Sequence, residues 1–201
     1  MVVIDGNKKE MDIRSFENLE QVFDSVLENG FLDGRIVTDV FVNEEPFSEI
    51  YPNQSEDIET SEIESLEIKS ATTVEMASSI TLELYKVVNI MAGGGKQVAE
   101  LFRQADDAEA LELYQDLLDV TRDFLGMLGS LRDQFSLKDS NGFGVVLEEF
   151  SSLFTEMTEV LENEDWILLA DLLEYEFLPS VEKWKNVISA IREDIREAAK
   201  R

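Results

Sequence analysis

Leu66-Glu67-Ile68-Lys69-Ser70-Ala71-Thr72-Thr73-Val74-Glu75-Met76-Ala77 marks a change of period in the chain. From Leu66 to Lys69, apolar and charged residues alternate, the pattern of a half-buried strand. From Val74 on, the apolar positions Ala77, Ile80, Leu84, Val87, Val88 and Met91 recur at helical spacing. Thr72 or Thr73 is placed to cap that helix. The change falls near Ala71, so the sequence predicts two dissimilar parts, residues 1–71 and 72–201.

Upstream, Val2-Val3-Ile4 and Glu10-Met11-Asp12-Ile13 flank Asp5-Gly6-Asn7, a hairpin signal. Ser15 is a candidate helix cap before Phe16, Leu19, Phe23, Val26 and Leu27, and Gly30 supplies the stop. Arg35 to Val42 is rich in β-branched residues and predicts a strand. Asn43-Glu44-Glu45-Pro46 turns the chain toward a short return strand at Phe47, and residues 53–60 read as loop. The expected order is hairpin, helix, strand, turn, loop, strand. It resembles the β-grasp, or ubiquitin-like, fold and its small sulfur-carrier members, whose "VNGE"-like turn has a counterpart in Val42-Asn43-Glu44-Glu45. Those carriers need a C-terminal Gly-Gly on a free end. Here the last strand runs on through Ser70-Ala71-Thr72, so the resemblance implies a fold and a packing or interaction role, without carrier chemistry.

Downstream, the stripes predict an antiparallel bundle of four or five helices. Gly93-Gly94-Gly95-Lys96 interrupts the first of them and reads as a hinge-like break or a close-packing point between helical pieces, with an anion-binding nest as the functional alternative. It is not a phosphate-binding loop, because position 90 is Ile90 and position 97 is Gln97. A second stripe runs from Leu111 to Leu131 and a third from Val146 to Leu161. Asp139-Ser140-Asn141-Gly142 reads as a turn between them, because neither calcium-loop register places a ligand at both of its ends. The stretch Trp166 to Phe177 is apolar on more than one side. Such a helix is either buried or docked on a partner, and Trp166, Leu169, Leu173, Tyr175 and Phe177 are the partner-binding candidates. Pro179 opens a fifth helix or kinks one long one.

Composition narrows the function. The 201 residues hold 17 Lys+Arg against 44 Asp+Glu, with no His and no Cys, for a net charge of −27. That excludes His- or Cys-based nucleophilic triads and dyads and the usual zinc sites. The charge also opposes binding to nucleic acid or an anionic membrane. The acidity divides between residues 1–71 and 72–201 as −13 and −14, so it is no acidic tail. Only the last helix is locally basic, at Lys183, Lys185, Arg192 and Arg196, which suits its dipole. The N-terminus lacks a secretory pattern and Cys is absent, so the expected compartment is the cytoplasm.

The expectation is a non-enzymatic, bacterial-style cytoplasmic protein-binding or adaptor protein, with the bundle docking another protein. It has no catalytic residues, cofactor or metal; a homo-oligomer is an open alternative. Its acidity and helicity resemble the small chaperones of flagellar export, which implies shielding of a partner's helices. A different class stays open. Glu109-x-x-Glu112, Glu156-x-x-Glu159 and Glu162-x-x-Asp165 resemble the carboxylate motifs of all-α nucleotide pyrophosphatases, implying a magnesium-dependent enzyme on phosphate substrates.

Overall fold

A computed structural model describes residues 1–48, 54–137, 142–198 and 200 of the chain. It divides into two compact units, Met1–Met76 and Ala77–Arg201. The turn expected at Asp139-Ser140-Asn141 lies outside the described residues, as does Asn53.

The first unit carries a five-stranded mixed sheet. Its strands are β1 (Val2–Ile4), β2 (Asn7–Lys9), β3 (Ile36–Val42), β4 (Glu45–Phe47) and β5 (Leu66–Ala71). They lie in the order β2-β1-β5-β3-β4, with β1 parallel to β5 and the other pairs antiparallel. This arrangement is compatible with a small β-grasp-like domain. Helix α1 (Leu19–Glu28) buries Leu19, Val22 and Val26 in one core with Val2, Ile4, Leu66 and Ile68.

Local chemistry accounts for the details. Asp5 and Gly6 both take positive φ, +48° and +75°, as a two-residue hairpin turn requires. That turn puts Asn7 opposite Ile4, so the second strand is Asn7–Lys9 and not the apolar run at Glu10–Ile13. The cap of α1 also differs from expectation. Asn18, not Ser15, accepts the amide of Gln21, while the Ser15 hydroxyl closes a short turn on the Asp12 carbonyl. Gly30 is the left-handed stop, at φ +67°.

The turn between β3 and β4 also has two positive φ values, Asn43 at +53° and Glu44 at +69°. Asn43 additionally pins the approach to β5, accepting the amides of Glu64 and Ser65 on its side chain. Glu44 carries a Cβ in a left-handed conformation that suits glycine. Glu44→Gly is therefore expected to stabilise the first unit by about 1 kcal/mol, read as a higher urea midpoint at unchanged slope.

At the end of β5, Asp5 accepts the hydroxyl and amide of Ser70, at 2.6 and 2.7 Å. Arg35 donates to the Ser70 hydroxyl and carbonyl, both at 2.9 Å, and pairs with Asp5 and Glu75. Thr72 and Glu75 form a reciprocal capping box, the Thr72 hydroxyl accepting the Glu75 amide and the Glu75 carboxylate accepting the Thr72 amide. The Ser70 bonds and then the Arg35 charge hold the Asp5 carboxyl below 3.8. The Thr72 bonds hold Glu75 below 4.5. Depressed carboxylates stabilise above their unfolded values and lose that contribution as pH falls through the folded ones. Asp5→Asn is expected to lower the melting temperature near pH ~6, with the gap to wild type closing by pH ~2; a gap independent of pH would contradict this.

The second unit is a helical bundle built of α2 (Thr73–Arg103, from Ala77 on), α3 (Asp107–Gln134), α4 (Phe143–Glu162), α5 (Trp166–Leu172) and α6 (Leu178–Ala198), with one π-helical turn, Leu173–Phe177, joining the last two. Trp184 is fully buried, edge-on to Phe124, Phe143 and Phe150. The expected interruption at Gly93–Gly95 does not occur, because α2 runs through it unbroken. The wide turn has a cause in the sequence. Pro179 has no N–H for the Tyr175 carbonyl four residues back, and the N–H of Leu178 reaches the carbonyl of Leu173, five residues back. The core positions Leu169, Leu173, Phe177 and Val181 are spaced by four. In a regular helix each such step rotates the stripe by about 40°, and the wide turn takes up that drift. Among the described residues no helix is long and apolar enough to cross a membrane.

Candidate functional site

The partner-binding candidates separate into two groups. Leu169, Leu173 and Phe177 are completely buried. Phe177 stacks on Phe150 at 5.6 Å and meets Phe154 edge-on at 6.0 Å. These three pack into the core of the bundle, the buried alternative for this stretch. Trp166 is half-buried, stacked on Phe102 with centroids 5.3 Å apart. Tyr175 is 63% exposed, and Ile167 and Leu168 are exposed as well.

The glycine run has a packing role. A Cβ on Gly95 would lie 2.9 Å from the Phe177 ring, and one on Gly94 would lie 3.4 Å from Leu117, whereas Gly93 faces open space. Gly95 therefore lets α2 approach the π turn closely. The run is thus a close-packing point within a continuous helix, and none of the three glycines has the positive φ of an anion nest. Lys96 pairs with Glu100 along the same helix. At the end of α2, Arg103 bonds Asp171 at 2.7 Å and also Glu174, clamping α2 to α5 and the π turn.

The clamped segment forms one wall of an open groove of about 570 Å³ against α4. From α4 come Val145, Glu148, Glu149, Ser152, Leu153 and Glu156; from the opposite wall come Leu172, Glu176, Pro179, Ser180 and Lys183. Each wall is one helical face of three turns, at i, i+3, i+4, i+7 spacing, about 16 Å long. Leu153, Leu172 and Ser180 are buried at its base, and Val145 is 64% exposed at one end. Lys183 spans the groove to Glu149 at 2.5 Å. Among the described residues, the Ser180 Oγ is buried without a hydrogen-bond partner. Among the described residues, no group of three or more Asp or Glu side chains is gathered as a metal ion would need.

Sequence reasoning missed this groove. The periodic face Val145–Glu156 was in the sequence, with Glu156 read as a motif acid and Lys183 as the start of a basic helix. What joins them is tertiary: α4 and α6 must lie side by side.

Two family models match the chain. One, described as a domain of unknown function (DUF8043), covers residues 1–71. The other, described as a domain of unknown function (DUF8042), covers residues 79–187. No curated protein and no solved structure matches.

Proposed function

Since the chain belongs to the family described as a domain of unknown function (DUF8042), whose matched region takes in every residue lining the groove, we propose that it is a non-enzymatic protein-binding or adaptor protein whose bundle docks a helix of another protein. The observation that carries this is the groove's shape. Two helical walls of three turns flank a base that holds Leu153 and Leu172, with Glu148, Glu149, Glu156, Glu176 and Lys183 along them, an arrangement that supports a helix-in-groove reading. The exposed Val145 at one end offers an apolar contact that the free chain leaves in water. A second copy is a poor occupant at low salt, because each carries a net charge of −27. The finer expectations, a cytoplasmic setting and a chaperone-like shielding of partner helices, belong to the same reading. The first unit, β-grasp-like and without a Gly-Gly terminus, serves in this reading as a packing or interaction domain.

Val145→Asn tests the reading. Its side chain is mostly exposed, so the melting temperature is expected to stay within about 1–2 °C of wild type. Affinity for an 18-residue amphipathic helical peptide is expected to fall several-fold, measured by fluorescence anisotropy. Unchanged affinity would place the docking surface elsewhere.

A further inference from the structure

We propose that the groove selects a cationic amphipathic helix, and that Lys183 holds the place of the partner's first cation. This rests on the docking reading above and adds the chemistry of the occupant. Glu148, Glu149 and Glu156 on α4 and Glu176 on the π turn line the groove against one ammonium, that of Lys183. An acidic helix would bring its charges against four carboxylates, and an apolar helix would leave them without a counterion. Lys and Arg side chains have long apolar stems and carry the donors that carboxylates accept in short, charge-assisted bonds.

Lys183 and Glu149 show what the site does with a cation. Their ion pair joins the two walls across the groove, yet both side chains are about half exposed, at 51% and 48%. Exposed pairs of this kind are weak and readily exchanged. A partner's Lys or Arg can take Glu149 from Lys183, releasing it to solvent. Lys183 is thus an internal competitor for the cation site.

The test uses the full chain and three 18-residue helical peptides with one Leu stripe, flanked by Lys, Gln or Glu. Fluorescence anisotropy is expected to rank them Lys, then Gln, then Glu. Glu148→Gln with Glu176→Gln should weaken the Lys peptide by about tenfold. Glu109→Gln with Glu112→Gln makes the same charge change on exposed positions of α3 and should weaken it by less than ~2-fold. Lys183→Gln should tighten it. Equal binding of the Lys and Gln peptides, or equal losses in groove and control variants, would overturn the charge selectivity while leaving helix docking intact. Weaker binding by Lys183→Gln would overturn the competitor role. Failure of all three peptides to bind would overturn the docking reading and this inference with it.

Discussion

Phe177→Ala is expected to lower the unfolding free energy by about 3–5 kcal/mol. The ring is fully buried and packs on Phe150, Phe154 and the Gly95 backbone. Removing it leaves a cavity that those stiff neighbours cannot close. Urea unfolding of the full chain measures the loss, with the transition of the bundle moving to lower denaturant. A cost below ~0.5 kcal/mol, the range of surface substitutions, would mean that Phe177 faces solvent or a partner after all. Tyr175, two residues away and 63% exposed, provides the contrast: Tyr175→Ala is expected to fall within that surface range.

Two glycines in one run are expected to respond with opposite signs. Gly93→Ala adds a methyl group into open space on a continuous helix. It should stabilise by about 1 kcal/mol, the propensity difference between the residues. Gly95→Ala gains the same propensity but puts its Cβ 2.9 Å from the Phe177 ring. That ring is held on its other side by Phe150 and Phe154, so α2 or the π turn must move. Overpacking costs about 1–3 kcal/mol, enough to make the net effect destabilising. Gly95→Ala should be partly rescued by Phe177→Leu, whose side chain can turn away, and the double-mutant coupling measures that contact. Stabilisation by both single substitutions would show that α2 and the π turn do not touch there.

These contrasts also mark how far the sequence was legible. Period and turn chemistry are local, so the hairpin at Asp5-Gly6, the strand at Ile36–Val42 and the long stripes of the bundle were readable. The shift from alternation at Leu66–Lys69 to helical spacing after Thr72 was enough to separate sheet from bundle. The glycine run was legible only as two alternatives, a break or a close-packing point, because glycine disfavours a helix intrinsically, while what decides between them, Phe177, lies on another helix. The stretch Trp166–Phe177 was ambiguous because apolar residues on every side do not tell which side is covered. The π turn, set by Pro179, decides that: it turns Leu169, Leu173 and Phe177 inward and leaves Tyr175 and Glu176 exposed. The groove was least legible, since its walls come from residues 145–156 and 172–183 and the pairing of the two faces exists only in the fold.

The central claim, that a helix docks between α4 and the α5–α6 segment, is tested most directly by amide-resolved NMR. The labelled full chain is titrated with the Lys-flanked Leu peptide. Shift changes are expected to run along residues 145–156 and 172–183 and to spare Leu82, Tyr85 and Ile90, which are exposed apolar positions of α2. Changes centred on that α2 face or on the sheet of the first unit, or none at saturating peptide, would contradict the account.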